Sequence, residues 1–227
     1  MKPLTFSYSK IKNFRTCPRR HQFVDVLKEF KEEESEALQW GNSFHTAMEK
    51  RLLKGDRLPL TMLRYEGEAQ FIEGLTKDRD AELKVEQKLA FDKEFRATSY
   101  FDNGAWFRSR IDVAVIYNDG TNQATLFDWK TGAPKEDEQQ LALSAQAVFA
   151  HYPNIDYVST SYVWIGAGVS TKTYTRRDMP SLWSALLPEI RMMEMAHNTN
   201  VYPAKPSGIC VKFCPVKSCE YWGKGSR

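Results

Sequence analysis

Residues 106–131 read WFRSRIDVAVIYNDGTNQATLFDWKT, and this stretch decides the fold. Trp106 to Tyr117 and Gln123 to Thr131 are rich in Val, Ile, Phe and Thr, the composition of β-strands. Between them Asn118-Asp119-Gly120 supplies a hairpin turn, because Asn, Asp and Gly tolerate the left-handed backbone such turns need. A hairpin centred on Gly120 sets Asp112 opposite Asp128, since their numbers average to 120. Lys130 follows Asp128 by two and so shares its face. Two like charges directly opposite each other weaken a sheet. A divalent cation between them reverses the sign, because hard cations take carboxylate oxygens. The trio therefore reads as a metal site.

Outward from this hairpin the chain alternates helices and strands. Ser7 or Ser9 caps a first helix, which Pro18 breaks or restarts after Cys17. The charged stretch Lys28 to Glu34 reads as an exposed connection. A helix is expected from Glu36 to Lys54, stopped by Gly55, with Gly41, His45, Met48 and Leu52 on one stripe. Another covers about Leu63 to Leu75, and Leu83 to Phe91 alternates as a strand. After the hairpin come a helix from about Asp137 to His151, strands at Tyr157 to Ile165 and Val169 to Tyr174, and a helix from about Pro180 to His197. This order predicts an α/β or α+β sandwich with a central mixed sheet flanked by helices, in a single domain over 1–227.

Composition bounds the function. The 227 residues are 42% apolar and 27% charged, enough for a large core and an ordinary polar surface. No apolar run is long enough to span a bilayer, and the N-terminus lacks the apolar stretch of a signal peptide, so a cytoplasmic protein is expected. A net charge of +3 permits a polyanionic partner without requiring one.

Carboxylates, a lysine and a divalent ion suit phosphodiester hydrolysis, in which Mg²⁺ or Mn²⁺ binds the scissile phosphate and activates water. Lys130 can orient or help deprotonate that water, or stabilise charge on phosphate. His45 offers an imidazole, which suits Mn²⁺ better than Mg²⁺. Glu86, on the strand before the hairpin, offers another oxygen ligand or a hydrogen bond to water, and Gln140 can bind phosphate or support Lys130. Arg108 and Arg110, beside Phe107, are candidate contacts to DNA, where bases stack on aromatics and cations hold phosphates. The four cysteines are Cys17, Cys210, Cys214 and Cys219. They can hold a [4Fe–4S] cluster that pins the chain ends together, hold a structural Zn²⁺, or remain unligated.

In this order the motifs resemble the PD-(D/E)XK nucleases, in the RecB-like branch that includes the AddB nuclease domain and the CRISPR-associated adaptation exonucleases. The Ser-rich opening helix ending in Cys-Pro resembles Ser7 to Pro18, and Gly-x-x-x-His resembles Gly41 to His45. Gly-Arg-Ile-Asp resembles Ser109 to Asp112, with Ser in place of Gly, and (Asp/Glu)-x-Lys-Thr-Gly resembles Asp128 to Gly132. The cysteine tail resembles Cys210-x₃-Cys214-x₄-Cys219, with the middle cysteine displaced by one. The family's Gln-x-x-x-Tyr keeps Gln140 but meets Ser144.

The resemblance implies a restriction-endonuclease-like core whose ends, 1–35 and 198–227, form a cysteine-cluster subregion. It implies Mg²⁺ or Mn²⁺ held by His45, Asp112, Asp128 and the Trp129 backbone carbonyl, with Lys130 catalytic. It further implies a [4Fe–4S] cluster on the four cysteines, with Zn²⁺ the alternative. The expected function is a stand-alone exodeoxyribonuclease acting on single strands or DNA ends, of the kind found in phages and mobile elements. Recombination or replication proteins are the implied partners. The rivals are a non-catalytic DNA-binding or recombination accessory module and an endonuclease of the same fold.

Overall fold

The computed structural model describes residues 4–32, 35–77, 79–135 and 137–224. The connection expected over Lys28 to Glu34 is therefore seen only to Glu32. Residues 1–3 and 225–227 of the expected cysteine subregion also lie outside the described residues. The chain divides into two compact units, Ser35–Leu182, and Met1–Glu34 with Trp183–Arg227.

The larger unit is built on a six-stranded sheet in the order β2-β1-β3-β4-β5-β6. Its strands are β1 (Ala81–Phe91), β2 (Ala97–Thr98), β3 (Phe107–Tyr117), β4 (Gln123–Lys130), β5 (Tyr157–Trp164) and β6 (Gly168–Thr175). Only the β4–β5 pair is parallel. Parallel neighbours need a crossover, supplied here by the helix Glu138–His151, labelled α5. The mixed sheet flanked by helices has the restriction-endonuclease-like arrangement expected from the sequence.

Alternation along the strands sorts the two faces. Val113 and Val115 of β3 and Phe127 and Trp129 of β4 bury against α3 (Glu36–Lys54) and α4 (Glu66–Lys77). Phe44, Met48 and Ile72 complete that core from the helices, each contributing about 1.5–3 kcal/mol by burial. The even-numbered positions take the other face, which α5 covers; there His151 Nε2 meets the backbone of Ala90. Ser35 caps α3 by accepting from Leu38 N, and Gly55 ends it in the left-handed conformation, φ +72°. Such a backbone favours glycine because a Cβ crowds the following carbonyl. Gly41 answers a different constraint: a Cβ there would lie 2.8 Å from Thr131 Oγ1, so a larger residue would force the Thr131 side chain, just past the end of β4, to turn away.

In the other unit, Ser7 caps α1 (Tyr8–Thr16) and Pro18 opens the short α2 (Pro18–His21) after the extended Cys17. Buried His21 pairs through Nδ1 with Asp25, which also accepts from Asn13 Nδ2 at 2.9 Å. The division between units falls within α6 (Met179–Thr199), which carries Pro188 in its interior, and α7 (Ile209–Lys212) follows. Several short elements differ from the sequence reading, among them a π-helical turn at Gln22–Val26 and a 3₁₀ turn at Arg176–Asp178. The helix expected from Leu63 starts as a 3₁₀ turn, Leu60–Tyr65, and β2 and α7 were not anticipated. At two and four residues, β2 and α7 are too short to carry a period. No helix among the described residues is long and apolar enough to cross a membrane.

Candidate active site

The hairpin registers as Val113↔Phe127, Ala114↔Leu126, Val115↔Thr125 and Ile116↔Ala124, so each pair of numbers sums to 240. Asp112 and Asp128 are the next pair along this register. The ladder stops there, because Asp112 Oδ2 accepts instead from Trp129 N at 2.9 Å. The carboxylate thus sits in the opening between β3 and β4, within reach of both helix layers. From α3, His45 Nδ1 comes within 3.4 Å of Asp112 Oδ2.

On the other side of β3, the register with β1 sums to 198 throughout, as in Val85↔Val113 and Gln87↔Ile111, which sets Glu86 beside Asp112. Glu86 leaves extended geometry, with φ +51°, although the register on either side is unchanged. A non-glycine residue in this region costs of order 1–3 kcal/mol. Here the distortion brings Glu86 Oε1 to 4.0 Å from His45 Nδ1, and Glu86 Oε2 receives Arg110 Nε at 3.0 Å. Glu86, Asp112 and Asp128 thus form one row across three adjacent strands.

Asp128 is enclosed from α5. Gln140 Nε2 donates to Asp128 Oδ1 at 2.8 Å, and Lys130 Nζ donates to Gln140 Oε1 at 3.1 Å. Lys130 Nζ also lies 2.6 Å from Asp128 Oδ2, an ion pair without hydrogen-bond geometry that leaves this buried oxygen unbonded. Tyr162, opposite Asp128 in the parallel β4–β5 register, shares its one hydroxyl proton between Asp137 O at 2.8 Å and Gln140 Oε1 at 3.2 Å. Its ring lies 5.0 Å from Lys130 Nζ. The Gln140 amide is therefore held in one sense, carbonyl toward the lysine and NH₂ toward the carboxylate.

The electrostatics follow from crowding. Burial and the charge of Asp112 push Asp128 up from 3.8 to about 6, against the pull of Lys130. Burial and Asp112 likewise raise Glu86, opposed by Arg110 and His45. Burial lowers His45, but the hydrogen bond and charge of Asp112, with Asp128 and Glu86 behind it, hold it above its ordinary value of 6.5. Carboxylates that resist ionising beside one another form a site favourable to a cation.

One ligand atom from each of His45, Glu86 and Asp112 falls within 4.8 Å of the others, a group that does not include Asp128, whose oxygens face Gln140 and Lys130. An ion about 2.1 Å from each ligand sets its ligand pairs roughly 3.0–4.2 Å apart, so these three fit after a small closure. Oxygen ligands with one imidazole suit Mn²⁺ and Mg²⁺. Trp129 gives its N–H to Asp112 and its indole to the core.

Of the two arginines, Arg110 is beside the row and 63% exposed. Arg108, on the same face of β3, instead lies over the Tyr100 ring at 5.4 Å. Tyr162 is the site residue that the sequence reading missed. Its placement depends on pairing across a helical crossover, which no local pattern reports. Ser144 stands where a tyrosine was looked for, and a tyrosine hydroxyl reaches Gln140 from β5 instead.

In the smaller unit all four cysteines are reduced and line one cavity, together with Arg19, Arg20 and Lys205. Cys17 Sγ accepts from Lys205 N at 3.3 Å, linking the two stretches that make up this unit, and burial raises the Cys214 thiol. Among the described residues no three of these sulfurs lie within 4.8 Å of one another.

A family model described as the PD-(D/E)XK nuclease superfamily matches residues 5–219. No curated protein matches the chain. Among solved structures, a candidate exonuclease of Eubacterium rectale superposes with a TM-score of 0.54 at 13% identity, covering 88% of this chain and 84% of that one. LHK-Exo in complex with dAMP gives 0.38 at 9% identity, over 86% and 89% of the two chains. The likeness at these identities is one of fold, and the first comparison alone carries it.

Proposed function

The chain belongs to the PD-(D/E)XK nuclease superfamily, and on that premise we propose that it is a metal-dependent exodeoxyribonuclease acting on single strands or DNA ends. The observation that carries this reading is the row Glu86–Asp112–Asp128, with Lys130 Nζ 2.6 Å from Asp128 and His45 beside Asp112. A packing surface gains nothing from three carboxylates on adjacent strands. A non-catalytic DNA-binding module would lose affinity by facing them toward phosphates.

His45, Glu86, Asp112, Asp128 and the Trp129 carbonyl are the residues that would hold Mg²⁺ or Mn²⁺. Bound there, such an ion would supply positive charge to the carboxylates and scissile phosphate and would lower the pKa of water. Lys130 orients the attacking water and offsets charge on the phosphate oxygens. Gln140 keeps that ammonium aimed, Tyr162 keeps Gln140 aimed, and Arg110 steers the strand. Water adds to phosphorus in line as the bond to the leaving oxygen breaks, leaving phosphate on one product and hydroxyl on the other. An endonuclease of the same fold would produce internal fragments from a closed circle, whereas this reading predicts none.

For the cysteines we propose a [4Fe–4S] cluster, with a structural Zn²⁺ the alternative, because all four line one cavity.

The experiment is direct. Asp112→Ala and Lys130→Ala, each purified and checked for native folding, should lose Mn²⁺-dependent degradation of end-labelled DNA by at least about 100-fold. Cleavage at the wild-type rate by either variant would overturn the mechanism.

A further inference from the structure

Beyond the catalytic row, the same face of β1 and β3 continues as a strip of cations and rings. Alternate residues on a strand lie about 6.7 Å apart, comparable to the phosphate spacing of a stretched single strand. One step from Asp112 comes Arg110, with Lys88 directly opposite it on β1. The next step is Arg108, opposite Ala90. Residues 99–104 then turn back over this strip, and Phe101 stands 76% exposed with Lys88 Nζ 5.9 Å from its ring. Arg108 is poorly satisfied: a long contact of 3.5 Å to Asp102 O and the Tyr100 ring hold its head, and its buried Nε has no hydrogen-bond partner. Cations at strand intervals ending in an exposed ring match what holds a single strand, with phosphates on the cations and a base on the ring.

We infer that this strip is a single-strand track, in which Lys88 takes a phosphate and Phe101 stacks a base about two nucleotides from the scissile bond. The inference rests on the proposed nuclease site, since the track leads to it, and it gives that site its preference for unpaired DNA. A duplex keeps its bases paired inward and offers Phe101 no face to stack on. The track also has a direction, because the cations lie on one side of the catalytic row. Only the part of the strand extending toward β2 benefits.

The test measures binding of a fluorescent oligothymidylate of about twelve nucleotides, with Ca²⁺ as the only divalent cation and the strand checked for integrity. Phe101→Ala should weaken the affinity about 5–150-fold, the range of one lost base stack, and Phe101→Trp should restore it. Lys88→Gln should reduce the slope of log affinity against log salt by about 0.7, as one lost phosphate contact does on a single strand. Phe101→Ala should leave that slope unchanged. Affinity within twofold of wild type for Phe101→Ala, an unaltered slope for Lys88→Gln, or an equal loss on a blunt duplex would overturn the track. If the variants weaken as expected but Mn²⁺ supports no cleavage by wild type, the nuclease reading falls and the track stands. If cleavage proceeds and the variants bind like wild type, the track falls alone.

Discussion

Replacing Asp128 with Asn should stabilise the metal-free protein while abolishing its activity. Burial and the neighbouring Asp112 hold the Asp128 carboxyl at about 6 in the folded chain, against an ordinary 3.8. Between those values the folded state keeps a proton that the unfolded chain has released. Stability from this group is thus complete below about pH 3.8 and is lost as pH rises through about 6. Integrated over that window, the loss is about 3 kcal/mol at most at neutral pH. Asparagine has the same shape, carries no charge, and can still accept from Gln140 Nε2 through its Oδ1, while Lys130, held by Gln140 Oε1, draws back from the new Nδ2. The variant should therefore gain up to about 3 kcal/mol at pH 7.5, which for a chain of this length is several degrees in Tm. The assay is thermal unfolding in EDTA across pH 4 to 8, with circular dichroism as the readout. At pH 4 the two proteins should unfold together. With Mn²⁺ at about 1,000 times its Kd the order should reverse, because wild type gains about 4.1 kcal/mol by binding. An Asn variant no more stable than wild type at pH 7.5, or one whose gain persists at pH 4, would refute the argument.

Two further outcomes follow from the same geometry. Tyr162→Phe keeps the ring beside Lys130 and removes the hydroxyl that anchors Gln140, so kcat should fall about 3- to 30-fold, the worth of one hydrogen bond, with KM little changed. Steady-state kinetics on a short single strand check this, and a fall in kcat/KM carried by KM alone would contradict it. Protein purified without oxygen should be brown and contain iron and sulfide, and Cys17→Ser should lose both; a colourless protein containing stoichiometric zinc would contradict the cluster.

Much of the fold was legible because its signals are local. Asn118-Asp119-Gly120 marks the turn, and a turn determines register, so the opposition of Asp112 and Asp128 could be counted from residue numbers. Ser35 and Gly55 bound α3 with a cap at each end. Other features depend on tertiary structure. The left-handed backbone at Glu86 has no glycine to announce it, and it decides where that carboxylate points. Tyr162 reaches Gln140 only because β5 lies parallel to β4 after a helical crossover, a pairing between segments far apart in sequence. The turn at residues 99–104 brings Tyr100 over Arg108 and leaves Arg110 beside Glu86, a difference in setting that their alternation along β3 does not report. Such features arise when elements meet, and periodicity within one element carries no trace of them.

The central claim is that neighbouring strands bring carboxylates together to share one cation. Titrating Mn²⁺ into metal-free protein by calorimetry tests it most directly. Wild type should bind with protons released from the raised carboxylates, and Asp112→Asn, which keeps the shape of the site, should lose that binding. Equal binding by the two proteins, or none by wild type, would contradict the account.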